Sequence, residues 1–523
     1  MRKLSMHQYY RISRSFFPAL ILLFVLVLIS GCKESTHKYE SVPWVLITAD
    51  DSKEEIINKA SLVTPSTRQL EWQKKEFLAF IHFGSGRQTP ETFDPKEFDA
   101  DQWVEVCKNT GMKMLILTTK HHVGFCLWPS KYTDYSVERS PWKDGKGDMV
   151  KEVADACKRA GLEFGVYVSP WDRAESTYGT PAYDEFFKNQ LRELLTNYGP
   201  IAEVWFDGHY GGPEGGRQDY KWDEYYGLIR ELQPDAVIAI KGPDARWVGN
   251  EKGYARESEW SVLPMAPSIK VNIEEGKEIN IDQHFPYLHS ERAEDLGSRE
   301  KLHAMEPPYF LVWYPAETDV SFRPSWSFRP DEQPHSLEKL LDIYYESIGR
   351  NSVLLLNYTP DYRGLIPEED VQRAKEFRKV LDATFNDNLL ERAKVKTSEN
   401  RKGHKGEAIV DNDTDSYWMT SEGNNKATIE FELAGEKLFN RFLVQEFIQS
   451  GQRIEAFSIQ SWDGQKWIDI ADGTTVGYKR ILRFDDVISE KVRLTITSSR
   501  GCPTITNCGL YYQPLVEDIL SSN

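Results

Sequence analysis

The first group in this 523-residue chain that could do chemistry is a carboxylate at the end of a hydrophobic run, Asp207 in Trp205-Phe206-Asp207-Gly208. The glycine frees the backbone and the aromatics flank the acid, so the carboxylate can be presented to a sugar ring. Glycosidic cleavage needs two carboxyls, one as nucleophile or base and one as a proton donor to the departing oxygen. The competing reading of Asp207 is a strand-end cap or turn residue. A partner acid has several sources: Asp244, Glu251, Glu257 and Glu259 lie between Gly242 and Trp260, and Glu317 follows Tyr314-Pro315-Ala316. Spacing alone does not rank them.

His121-His122 follows another apolar run and has three readings. Metal ligation is weakly supported, because adjacent histidines point opposite ways in extended backbone and no third ligand is marked. A pair of core histidines is the second reading. Hydrogen bonding to sugar hydroxyls is the third, and it suits the neighbouring Trp128 and Trp171. No Gly-rich phosphate loop, GxSxG elbow, HExxH or dinucleotide fingerprint is present. Gly208–Gly216 reads as a loop beside a site.

These groups must be held by something, and the chain from about 75 to 360 supplies it. Apolar runs at Phe77–Gly84, Met112–Thr119, Glu163–Ser169, Ala202–Asp207, Ala236–Ile240, Tyr309–Tyr314 and Ser352–Tyr358 alternate with amphipathic stretches. The helical stretches are Ala100–Asn109, Asp148–Ala160, Tyr183–Tyr198, Trp222–Leu232 and Ser336–Ile348. Near-continuous apolar strands separated by helices predict a parallel sheet covered on both faces. With an eighth strand near Ala255–Trp260, the total suits a (β/α)8 barrel, although an open doubly wound sheet shares the local signature. The polar residues favour the barrel. His82, His121-His122, Tyr167 with Ser169, and Asp207 all stand at C-terminal ends of successive strands, which converge on one face of a barrel.

After a helix over Glu368–Thr384 the pattern changes to alternation at Ala427–Leu433, Arg441–Phe447, Ile454–Trp462, Lys466–Ala471 and Lys491–Thr497, with turns at Asp463-Gly464 and Asp472-Gly473. That predicts a C-terminal β-sandwich. Asp411–Asp415 (DNDTD) is either a calcium loop or an Asx turn; its spacing is not an EF-hand. Setting Cys32 aside leaves five cysteines without metal spacing, of which Cys502 and Cys508 could pair or remain thiols. A net charge of −17 repels phosphate backbones and argues against nucleic acid as partner. A mean hydropathy of −0.54 excludes a polytopic membrane protein.

The longer motifs resemble those of glycoside hydrolase family 29, the retaining α-L-fucosidases. They are Phe80–Gly84 (FIHFG), Lys120–Ser136 (KHHVGFCLWPSKYTDYS), Phe164–Asp172 (FGVYVSPWD), Glu203–Gly208 (EVWFDG) and Asn351–Asn357 (NSVLLLN) before Pro360-Asp361. Phe439–Glu446 and Gly477–Phe484 resemble the discoidin-like (F5/8 type C) domain appended to such enzymes. The resemblance implies Asp207 as nucleophile. Arg246–Glu251 (RWVGNE) resembles the branch acting on α-1,3/1,4-linked fucose, which implies Glu251 as general acid/base. His82, His121, His122, Tyr167 and Trp205 match positions that hold the fucose, and Trp128, Glu317 and Trp326 are further candidates for the pocket wall. No cofactor and no metal are implied. Val123 stands where relatives commonly have aspartate, and Ser85–Phe93 is short, with Glu91 its only acid. Strict choice of fucose over L-galactose is therefore open, and a spent, glycan-binding protein is the reading from another class.

The implied layout is a leader over 1–31, a linker over 32–69, the barrel over 70–385 and the discoidin-like domain over 390–515. Arg2, Lys3, Arg11 and Arg14 precede the apolar run Phe16–Ile29, and Ile29-Ser30-Gly31-Cys32 resembles a bacterial lipobox. It implies lipidation at Cys32 and attachment to the cell envelope, with the outer membrane favoured.

Overall fold

The computed structural model describes residues 41–84, 89–208, 218–266 and 291–521. The leader, Cys32, most of the Gly208–Gly216 loop and residues 85–88 lie outside these. Among the described residues, no helix is long and apolar enough to cross a membrane.

Eight parallel strands form one sheet: β1 (Phe77–Ile81), β2 (Met114–Lys120), β3 (Glu163–Val168), β4 (Glu203–Phe206), β5 (Val237–Ile240), β6 (Arg246–Trp247), β7 (Ala316–Ser321) and β8 (Ser352–Tyr358). The order is β5-β4-β3-β2-β1-β8-β7-β6, and a bridge between Ala239 and Ala245 brings β5 to β6 and closes the barrel. The pleat explains why these strands read as unbroken apolar runs. Phe77, Ala79 and Ile81 of β1 pack outward under the helices, while Leu78 and Phe80 pack inward with Met114, Ile116, Tyr167, Trp205, Ala239 and Leu355. Both faces are buried, so both are apolar. The covering helices are bounded as their sequences dictate. Asp99 and Asp148 accept backbone N–H bonds at the starts of Ala100–Thr110 and Met149–Ala160, and Gly111 and Gly161 end them at φ 99° and 69°.

Three expectations are corrected. Tyr309–Trp313 is not a barrel strand: it is the centre of an antiparallel sheet between Trp44–Ile47 and Val262–Met265. The barrel position belongs to Ala316–Ser321, whose inward residues Glu317, Asp319 and Ser321 are polar and disguise the strand. Ala255–Trp260 is not a strand either, and its place is taken by the two-residue β6. Finally, the described part of the expected linker carries regular structure, with helices Lys53–Ala60 and Thr67–Gln73 each opened by a capping box.

The C-terminal domain is antiparallel, in the order Lys394–Thr397, Ala427–Gln445, Arg480–Ser499, Ile454–Trp462, Trp467–Gly473, with Asn507–Tyr511 also paired to Ala427–Gln445. It has its own core, built from alternate residues such as Ile429, Phe431, Val492, Leu494 and Ile496. Asp411 accepts from Asp413 N and Ser416 Oγ, so the acidic loop closes on itself through Asx turns. Cys502 and Cys508 are both free thiols. The domain grips the barrel segment that follows Glu251. Gln452 accepts from Ser261 N and donates to Glu259 O, Asn351 bridges Glu259 O and Tyr478 N, and Arg480 pairs with Glu257.

Candidate active site

Tyr167 on β3 and Trp205 on β4 are register partners, so their inward side chains lie side by side. Their rings stack with centroids 5.1 Å apart at 20°. Asp207 stands two residues beyond Trp205, on the same face, and accepts a 2.6 Å hydrogen bond from the Tyr167 hydroxyl. Burial and the adjacent Asp207 charge hold the phenol well above its ordinary pKa, so it stays a donor. A short bond of this kind orients the carboxylate.

His82 follows β1 and sits beside Asn357 of β8. Asn357 Nδ2 donates to Ser321 Oγ and the Trp326 carbonyl, which turns Oδ1 toward His82. That oxygen receives both the His82 backbone N–H (3.0 Å) and Nδ1 (2.9 Å). Nδ1 therefore carries the proton, and Nε2 is left as an acceptor. Burial lowers the imidazole to about 4, so it is neutral at physiological pH.

The two adjacent histidines do not diverge. The backbone turns immediately after them, with Gly124 N bonded to His121 O, and their ring centroids lie 3.7 Å apart. His121 stacks on Tyr167 and His122 on Trp171. The turn is braced by a buried ion pair, Lys120 Nζ to Asp172 Oδ2 at 2.9 Å, with Gln190 Oε1 at 2.8 Å from the same ammonium. Asp172 Oδ1 meanwhile accepts from Ala174 N and Glu175 N. Gly124 is required at this point: its φ is +89°, and a Cβ would lie 2.4 Å from Asp172 Oδ1. Ligand atoms of His121, His122 and Asp207 come within 4.8 Å of one another, a spacing that could hold a metal ion. The same donors and acceptors suit a polyhydroxylated ring.

Among the five acids that spacing could not rank, four have other employment. Asp244 is bound by Arg68, Arg230 and Ile238 N, Glu257 by Arg480 and Arg350, and Glu259 by Arg246 and Arg256. Glu317 is fully buried inside the barrel, where it accepts a 2.6 Å bond from the Trp205 indole. It is thus a support for Trp205 and not a pocket wall, because the barrel strand here is Ala316–Ser321 rather than Tyr309–Trp313, which puts residue 317 at the start of the strand and below the mouth. Glu251 remains. Its Oε2 accepts from the Trp326 indole at 3.0 Å, and that ring lies 5.3 Å from His82. His82 in turn lies 5.7 Å from Tyr167, so a continuous ring wall joins Glu251 to Asp207.

Trp128 is not brought to this site. Its buried indole donates to Glu193 Oε2 in the layer between strands and helices. Glu91 is exposed on a single helical turn, and Val123 packs against the outer core. Sequence reasoning missed Asp319, whose buried carboxyl accepts from the Trp247 indole at 2.7 Å and is pushed well above the usual range by burial and by Glu251. Its signal was the polar alternation at 317, 319 and 321.

Comparison with known proteins agrees with this geometry. The family model Alpha-L-fucosidase matches residues 40–384, and the F5/8 type C domain model matches residues 394–508. Alpha-L-fucosidase 1 of Arabidopsis thaliana is 38% identical over 470 residues, covering 86% of this chain and 88% of its own. The structure of a Ruminococcus gnavus GH29 fucosidase in complex with fucose is 31% identical with a TM-score of 0.75, covering 87% of this chain and 96% of that one.

Proposed function

The chain belongs to the glycoside hydrolase family 29 α-L-fucosidases, and from that premise we propose that it removes terminal α-1,3/1,4-linked L-fucose from glycans with retention of configuration. Asp207 attacks the anomeric carbon and forms a fucosyl ester. Glu251 gives its proton to the departing glycosidic oxygen, then takes a proton from the water that cleaves the ester. Tyr167 aims the Asp207 carboxylate, and His82 Nε2 accepts from a sugar hydroxyl. His121, His122 and Trp205 line the fucose, with Trp326 beside the sugar and holding Glu251 by its indole N–H. No cofactor or metal enters the reaction.

The observation that carries this reading is the segregation of the acids. Asp207 is held by Tyr167, Glu251 is tied by Trp326 to the same wall, and the other four candidates are bound elsewhere. The α-1,3/1,4 linkage rests on the Arg246–Glu251 motif. The lipobox-like Cys32 supports attachment to a bacterial envelope.

The test is fucose release by soluble protein starting after Cys32, in EDTA, from an α-1,3/1,4-fucosylated oligosaccharide, an α-1,2-linked control and an α-L-galactoside. Release from the branched substrate alone is expected. Dependence on added metal would refute the metal-free site. Preference for the galactoside would move the substrate to the related L-sugar, and silence on every glycoside would leave a binding protein. Glu251→Gln is expected to lose about 10²–10⁴-fold on the natural glycan. It should lose far less on a fucoside with an acidic phenol leaving group, which departs without a proton. Equal losses on both would remove Glu251 from the acid role.

A further inference from the structure

Glu203 and Glu317 are both fully buried inside the barrel. Each has one oxygen engaged by an indole: Trp72 Nε1 donates to Glu203 Oε2 at 2.7 Å, and Trp205 Nε1 to Glu317 Oε1 at 2.6 Å. The other oxygens, Glu203 Oε1 and Glu317 Oε2, are buried and receive no donor from any other residue. The two carboxyls lie near enough for each to act on the other's ionisation. Two ionised carboxylates cannot meet in this way in a dry interior, whereas a carboxylic acid and a carboxylate can.

The surroundings place the proton. Glu203 faces the Lys75 ammonium as well as Asp244, while Glu317 faces Glu203 and Asp319 without a cation. Burial raises Glu203 to about 7 and lifts Glu317 well above the carboxyl range. Glu317 is thus the better placed of the two to hold a proton: as the acid it would offer its hydroxyl to Glu203 while its other oxygen accepts from Trp205. The Trp205 ring supports Tyr167, whose hydroxyl orients Asp207.

We propose that Glu203 and Glu317 share a proton and act as a positioning pair, fixing the Trp205 indole and through it the Tyr167–Asp207 hydrogen bond. The positioning part rests on Asp207 being the nucleophile; the shared proton does not.

Two variants of the full chain separate the alternatives. Glu317→Gln keeps both duties, since its amide oxygen accepts from Trp205 and its N–H donates to Glu203. It is expected to retain kcat. Glu317→Leu removes both, leaving the Trp205 indole without its acceptor and Glu203 with Trp72 alone, so kcat should fall by about 10²-fold, the scale of an ångström-sized misplacement at a reacting group, with a smaller change in KM. Infrared difference spectroscopy of wild type against Glu317→Gln at neutral pH should show the loss of one protonated-carboxyl stretch. Absence of that band overturns the shared proton, whether or not the protein hydrolyses fucosides. A leucine variant with wild-type kcat, or a folded glutamine variant as impaired as the leucine one, overturns the positioning role. If the wild type hydrolyses no fucoside, fucose binding by calorimetry replaces kcat, with the same ranking expected.

Discussion

Asp207→Asn is expected to lower kcat by about 10⁴–10⁶-fold, the scale on which removing an attacking side chain acts in other covalent mechanisms. The substitution is nearly isosteric and can still accept the Tyr167 hydrogen bond now 2.6 Å long, so the fold and the fucose pocket should persist. What disappears is the negative charge that attacks the anomeric carbon. KM or product affinity should therefore change far less than kcat. Exogenous azide should restore part of the activity of the smaller Asp207→Gly variant by attacking from the vacated side. An Asp207→Asn protein with more than a hundredth of wild-type kcat would show that Asp207 is not the nucleophile.

The second large effect is on stability. Lys120→Met is expected to destabilise the protein by about 3–5 kcal/mol, because it strands the Asp172 carboxylate, itself 2% exposed, in the interior. The pair lies out of reach of salt, so the loss should be similar at low and high ionic strength. Lys120→Met/Asp172→Leu should be less damaging than the two single losses combined, since it leaves no unpaired buried charge. The Asp172 carboxylate also organises the 172–175 turn and abuts Gly124, so residual enzyme should bind fucose weakly through displaced His122 and Trp171. Denaturation midpoints for the three variants check the ranking, and a loss below about 1 kcal/mol, the surface-pair range, would contradict it.

The parts of the site visible from the chain were those with a regular geometric relation to an apolar run. Asp207, Tyr167 and His82 stand at the ends of hydrophobic strands, at positions whose parity turns them inward, so their convergence could be read from strand ends alone. The doublet His121-His122 was legible as a site but not in its geometry, since the turn that brings the rings together depends on Gly124 and Asp172, the latter 48 residues after Gly124. β7 was hidden because its interior residues Glu317, Asp319 and Ser321 are polar, and a burial pattern built on hydrophobicity assigns such a segment to the surface. β6 was hidden by its length of two residues. The same blindness moved Glu317 to the pocket wall and overlooked Asp319 and Glu203. Trp128 was drawn to the site by proximity in sequence, while its indole is spent on Glu193. The choice of Glu251 among five acids came from a motif; the structure adds a physical reason, which is that the others are already paired.

The C-terminal domain bears on the site through the Glu257–Ser261 segment, which it holds by Gln452 and Arg480. This segment begins six residues after Glu251, so the domain anchors the chain close to the proposed acid/base.

The most direct test of the central claim is the anomeric form of the sugar first released. Hydrolysis of an α-L-fucoside by the soluble chain would be followed by proton NMR before mutarotation equilibrates the product. α-L-Fucose should appear first and the β-anomer should grow only with mutarotation, as two displacements at Asp207 require. Initial appearance of β-L-fucose would mean a single displacement by water, and the assignment of Asp207 and Glu251 as nucleophile and acid/base would fall.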